Sequence, residues 1–194
     1  MDFERVKDYM MQRLSRGLAP NLYYHGIHHT VDVMRAAEEI AAAERVVGMD
    51  KTILMTAALF HDVGFLIRYK ENEDISAGMC WNILPRFNYT QSEIMMIAHI
   101  IMSTSIPQKP VDKLDSIMCD ADLDYLGRDD FFIIGCNLRR EWKEYGRELT
   151  VKEWYFQQID FLSAHHYFTK TATLLREEKK LRHLDYLIRL VNKK

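Results

Sequence analysis

Apolar side chains recur along most of this chain at three- and four-residue spacing, in stretches separated by Gly, Pro or clusters of charge. Phe3, Val6, Met10, Met11 and Leu14 share one helical face until Gly17 to Pro20 break the pattern. After an aromatic and histidine-rich stretch from Tyr23 to His29, the pattern predicts a helix over 30–47. Val33, Ala37, Ile40, Ala41 and Val47 face inward there, and Gly48 acts as its stop. Asp50 is placed to cap a helix over 51–62, which is apolar on nearly every side through Ile53, Leu54, Ala57, Ala58, Leu59 and Phe60, as a central buried helix must be. Val63 and Gly64 end it, and 65–72 form a mixed connection. A helix over 74–84 then runs to the limit set by Pro85. Thr90-Gln91-Ser92-Glu93 reads as a capping box for an apolar helix reaching Met102, with Pro107 and Pro110 punctuating the loop beyond. Helices are predicted over 111–126 and 129–145, over 151–166 behind a Thr150 cap, and over 169–191. No stretch alternates with a period of two. The expected fold is therefore all-α: a single-domain helical bundle over 1–194, with no internal repeat, low-complexity tract or linker.

Composition narrows the function classes. With 194 residues, 48% of them apolar and only 8 Gly and 4 Pro, the chain can bury one substantial core without staples. Its net charge of -2 creates no field toward a nucleic-acid polymer or an anionic membrane, so the expected partners are small molecules. Cys80, Cys119 and Cys136 are widely spaced and form no Cys-x-x-Cys pair, which speaks against a disulfide framework or zinc knuckle and for a reducing compartment. The first residues are charged, with no signal-peptide stretch. The longest apolar run, Ile94 to Met102, contains His99 and is about half of what a membrane span requires. The expected setting is the cytoplasm, with no membrane association. Trp142, Trp154, Tyr155, Phe156, Phe161, Tyr167 and Phe168 fit core or subunit packing better than base stacking, so a homodimer is compatible with them.

The candidate chemistry lies mainly in the first two thirds. His25, His28, His29 and His61 are four of the eight histidines, and three of them fall within five consecutive positions. Imidazoles and carboxylates at helix ends are the groups from which a divalent-metal site is built. His61 and Asp62 are neighbours that diverge by about 100° on a regular helix, so they meet at one ion only along the bisector of their directions. Taken alone, Asp62 reads equally as a solvated helix end beside Gly64. Asp120, Asp122 and Asp124 cannot form one three-toothed ligand on a regular helix. Asp120 and Asp124 share a face, Asp122 points elsewhere, and one or two of the three are expected to face solvent.

Tyr24-His25-Gly26-Ile27-His28-His29-Thr30-Val31-Asp32-Val33, then His61-Asp62-Val63-Gly64, then Asp120-Ala121-Asp122-Leu123, in that order, resemble the signature of HD-superfamily phosphohydrolases. The matching motifs occupy about 23–127, and the helices of 128–194 are expected to pack on that part. The resemblance implies a helical bundle of the HD-domain and phosphodiesterase-like type. It also implies one divalent metal ion (Mn, Fe, Mg, Co, Ni or Zn) held by His29, His61, Asp62 and Asp122. The Tyr-His-x-x-x-His spacing is similar to the cyclic-nucleotide phosphodiesterase branch, in which the histidine matching His25 gives a proton to the leaving group. The implied activity is hydrolysis of a phosphate mono- or diester, a nucleotide or related small phosphorylated metabolite. A water activated by the metal would attack phosphorus, with Asp62 as base and His25 as acid. Arg68, His28 and Glu73 are candidate substrate-binding residues. Arg68 would clamp a phosphate oxygen, although an exposed loop cation is an equal reading.

The sequence also departs from the two-metal members. Asn72 stands at the first position of their His-Glu pair, and Met102-Ser103-Thr104 lacks the histidine of the later helix. This argues for one metal and against the di-iron oxygenases of the same fold. His99, between Ile97 and Ile101, reads as a packed, hydrogen-bonded histidine, and His165 and His166 read as polar surface. Two competing readings remain: a regulatory module with little turnover, and a helical interaction protein that binds no metal.

Overall fold

The structure is a computed structural model and describes residues 1–192. Among these residues every regular element is helical and no strand forms, as the absence of a two-residue period requires. Asp2 caps α1 (Phe3–Gly17), which turns Val6, Met10 and Leu14 inward. α2 (Ile27–Ala43) and α3 (Gly48–Phe60) follow as an antiparallel pair, then α4 (Asn72–Ile83), α5 (Gln91–Ser103) and α6 (Lys113–Asp122). α3 is the axis of the bundle. Its residues from Ile53 to Phe60 are all buried, and α1, α2, α5 and α6 pack around it. This is the place expected of a helix with no polar face.

The C-terminal third consists of α7 (Phe131–Glu144), α8 (Val151–Ala164), a short α9 (Lys170–Ala172), a π turn (Thr173–Glu177) and α10 (Glu178–Asn192). It builds a second apolar cluster around Leu126, Phe131, Leu162 and Leu187. Two of the three predicted caps form complete capping boxes: Thr90 with Glu93, and Thr150 with Glu153.

Three boundaries differ from the sequence expectation. α2 begins at Ile27 and ends at Ala43, while Val47 is 75% exposed and not inward. The turn closes through Val46 N–H donating to the Ala41 carbonyl at 2.8 Å, with Arg45 at a φ of 59° in the left-handed place that Gly usually takes. Gly48 consequently begins α3 and does not end α2, and Asp50 lies inside the first turn of α3, not at its cap. The predicted helix over 111–126 stops at Asp122 and gives way to a 3-10 turn (Asp124–Gly127), and the predicted helix over 169–191 contains the π turn. The latter two breaks belong together. A Cβ on Gly127 would stand 2.3 Å from the Arg176 carbonyl oxygen, so the π turn lies directly on this glycine.

Candidate metal centre

Three helix ends converge. His29 lies in the first turn of α2, His61 and Asp62 follow α3, and Asp122 is the last residue of α6. His61 keeps helical angles (φ -55°, ψ -37°), whereas Asp62 leaves the helix at φ -114° and ψ 11°. That one departure removes the divergence expected of helix neighbours. His61 Nε2 and Asp62 Oδ2 come to 3.3 Å, and His29 Nε2 lies 3.6 Å from Asp62 Oδ2. Asp122 Oδ1 is 3.2 Å from His29 Nε2 and 3.7 Å from His61 Nε2. Donor atoms of His29, His61 and Asp122 all lie within 4.8 Å of one another.

The donor set and its unsatisfied atoms fit a divalent cation. His61 Nδ1 lies 2.8 Å from the Ala58 carbonyl, which can only accept, so Nδ1 carries the proton and Nε2 presents a lone pair to the cluster. Asn72 Nδ2 donates to Asp62 Oδ1 at 2.8 Å, leaving Oδ2 toward the histidines. His61 Nε2 and Asp62 Oδ2 are both buried and have no hydrogen-bond partner, an arrangement that costs free energy unless a positive charge satisfies it. The electrostatics show the same demand for positive charge, which a proton on His61 Nε2 meets when no metal is bound and which a metal ion would displace. Burial opposes a charged His61, yet Asp62 and Asp122 outweigh it and push the imidazole up to about 9. Burial likewise opposes an ionised Asp62, and His61, His25 and His29 hold it ionised all the same. Two imidazoles and two carboxylates suit a borderline or hard divalent ion. Gly64 admits this arrangement: its N–H donates to Ser76 Oγ at 2.8 Å, and a Cβ there would come 2.1 Å from the Asn72 carbonyl oxygen.

Beside the four side chains stands a dyad that the sequence did not disclose. Glu141 of α7 is fully buried and takes His25 Nδ1 on Oε1, while its Oε2 accepts the N–H groups of Tyr24 at 2.7 Å and His25 at 3.0 Å. Tyr69 OH donates to Oε1 at 3.0 Å and stacks on Tyr145, and Phe65 stacks on the His25 ring at 4.2 Å. Burial disfavours a protonated His25, but Glu141 and the fields of Asp62 and Asp122 outweigh it and raise its pKa. One signal was available in the sequence. Glu141 continues the stripe Ile134, Leu138 and Tyr145, the inward face of α7, where a carboxylate needs a partner.

His28 is exposed and, with His29 and Asp122, lines a cavity of about 490 Å³ that also receives Arg35, Arg128 and Asn137. Glu73 is half-buried. Burial, then the nearby Asp62 and Asp122, raise its pKa, which places it in the field of the cluster. Arg68 is not brought to the cluster: it is exposed, pairs with Glu71 at 2.8 Å and donates to the Lys70 carbonyl. His99 bonds Asp115 at 3.1 Å, with its side chain 55% exposed. His165 is largely enclosed, unlike the expected surface residue, and His166 is exposed.

Asp120 and Asp124 correct a further expectation, since neither faces solvent. Asp120 accepts from the Phe168 and Thr169 N–H groups and the Thr169 hydroxyl. Asp124 takes Arg176 in a two-point grip at 2.6 and 3.2 Å, with Arg128 at 3.4 Å.

Known proteins share the family and the fold of this chain. The family model of the HD domain matches residues 26–124, the segment that carries all four clustered side chains. Among solved structures, a predicted HD superfamily hydrolase from an uncultured Thermotogales bacterium aligns over 95% of this chain and 90% of its own, with a TM-score of 0.64 and 19% identity; it shares the fold. No curated protein matches the chain. No described helix is long and apolar enough to cross a membrane. The segment matched and the order of its motifs lead to one conclusion: the chain belongs to the HD domain family.

Proposed function

We propose that the protein is a metal-dependent phosphohydrolase that cleaves a phosphate mono- or diester, a nucleotide or related small phosphorylated metabolite. The observation that carries this reading is the pair of orphaned buried atoms, His61 Nε2 and Asp62 Oδ2, facing His29 and Asp122. His29, His61, Asp62 and Asp122 would hold one divalent ion, of the series Mn, Fe, Mg, Co, Ni or Zn, which would supply a Lewis acid for a phosphoryl oxygen and a centre that acidifies water.

The chain's own groups do the rest. Asn72 fixes the direction of Asp62, so that one carboxylate oxygen remains for the cluster and for accepting a proton from the attacking water. Glu141 occupies Nδ1 of His25, leaving Nε2 as the nitrogen that delivers a proton to the departing oxygen. Phe65 and Tyr69 shield that imidazole from solvent. His28 and Arg128 line the cavity through which a small phosphoester reaches His29 and Asp122, and Arg128, largely buried among Asp32, Asp124 and Asp130, shapes its wall.

Elemental analysis of the purified chain, followed by hydrolysis of a generic phosphoester and a nucleotide panel with each metal added, tests the reading. About one divalent ion per chain, with turnover abolished by Asp62→Ala at an unchanged helical spectrum, is expected. Metal binding without turnover on any substrate would replace the enzyme with a regulatory module, and a chain that takes up no metal would end both.

A further inference from the structure

A cavity of about 660 Å³, larger than the one beside the metal centre, opens between α7, α8 and α10 and contains none of the four clustered side chains. Its walls are flat and apolar, made by Phe131, Trp154, Tyr155, Tyr186 and Leu187. Its size is that of a small-molecule site. Two polar features set it apart from a packing gap. Gln158 is only 5% exposed, lines the cavity and makes no hydrogen bond among the described residues. Its Oε1 lies 3.6 Å from the place where Gly135 would carry a Cβ, so the absence of a side chain on α7 leaves room in front of the amide. Arg139, Arg140 and Lys143 form the second feature, lining the cavity further along α7. Lys143 is matched by Glu148. Arg139 donates only to the Leu149 carbonyl and Arg140 lies over the Tyr23 ring, so neither guanidinium has a carboxylate partner among the described residues.

From Gly135 to Arg139 the axis of α7 advances about 6 Å. An amide in an aromatic slot, with Arg139, Arg140 and Lys143 set against the one carboxylate of Glu148 beginning a helical turn away, selects for a particular shape of ligand. The amide offers one donor and one acceptor side by side, which match the hydrogen-bonding edge of a nucleobase. The rings offer faces for stacking, and the arginines recognise a phosphate. A fatty acid would suit the walls and the rim but would strip water from Gln158 and return nothing. We propose that this cavity is a second ligand site, separate from the metal centre, for a nucleoside monophosphate. α7 is the wall between the two: Ile134 and Asn137 face the cavity that reaches His29 and Asp122, while Phe131 and Gly135 face this one.

The test is independent of turnover. The full-length chain, freed of metal by chelation, is titrated with AMP, GMP, CMP and UMP by calorimetry and by the fluorescence of Trp154, which lines the cavity. At least one monophosphate binds saturably. Gln158→Leu weakens it about tenfold or more while melting no lower than the parent, because the amide it removes has no protein partner. Arg140→Gln, at an exposed position, weakens the phosphate but not the free nucleoside, and His61→Ala leaves binding unchanged. The proposal is overturned if no monophosphate saturates, if Gln158→Leu binds as the parent does, if His61→Ala abolishes binding, or if decanoate binds parent and Gln158→Leu equally well and more tightly than any nucleotide.

Discussion

The candidate metal centre and the seam where α6 meets the C-terminal helices both bury carboxylates, only two residues apart in sequence, and treat them in opposite ways. At the seam, Asp120 is saturated by three donors from Phe168 and Thr169, and Asp124 by the guanidinium groups of Arg176 and Arg128. At the metal centre, Asp122 and Asp62 face imidazoles, and two of the assembled atoms have no hydrogen-bond partner. Carboxylates completed by protein donors have no oxygen left for a ligand. Those that keep an unpartnered oxygen among imidazoles leave a demand for positive charge. The difference separates groups that join distant helices from groups left available to the proposed metal ion.

Substitution can break that comparison, and the largest contrast is expected between Asp122 and Asp120. Asp122→Ala removes a candidate ligand and lowers turnover and metal content by at least about 100-fold, with little loss of melting temperature. Asp120→Ala orphans three donors at a cost of about 3 kcal/mol, roughly 10 °C in melting temperature, and the folded fraction retains its metal. Elemental analysis and thermal melts read both, and equal behaviour of the two variants would erase the distinction.

Next comes Glu141. Glu141→Gln preserves shape but removes the charge that orients and protonates His25. Turnover is expected to fall about 100-fold at unchanged metal content, and the double variant with His25→Ala should be no worse than His25→Ala alone. A double variant clearly worse than either single one would detach Glu141 from His25.

Asn72→Ala frees Asp62 to rotate and weakens metal binding about 10-fold or more, measured by competition with a chelating dye. Unchanged affinity would show that Asp62 is held in place by something other than Asn72.

The effect confined to acid pH, and absent at neutrality, is expected at His165, in the C-terminal third. Burial, then the Lys180 ammonium, push its imidazole down from 6.5 to about 3. The unfolded chain therefore takes up a proton that the folded one refuses. Stability from this group is complete above about 6.5 and drains away as pH falls toward 3. His165→Asn should flatten the acid limb of a melting-temperature profile over that window, and a limb of unchanged steepness would count against the assignment.

Legibility followed the range of the interactions involved. His29, His61, Asp62 and Asp122 could be read because each sits in a short local motif that resembles the HD signature. Glu141 was hidden: it meets His25 across 116 positions, and its one local trace was a charge on an apolar stripe. Arg45 concealed the end of α2 by taking a left-handed turn normally marked by Gly. The roles of Asp120 and Asp124 were misread as solvent-facing because the groups that saturate them, Thr169 and Arg176, lie some fifty residues on.

Periodicity and capping by themselves determined that the chain is helical and which helix lies at the centre, and the resemblance of three short motifs to the HD signature named the side chains that were candidates for a metal. Tertiary packing alone decided that Asp62 turns back toward His61, that His25 has a carboxylate behind it, and which carboxylates are satisfied. Helix formation depends on contacts three and four residues apart, which a sequence displays. The satisfaction of a buried charge depends on whatever the fold brings within about 3 Å of it, and that is settled only when distant helices meet.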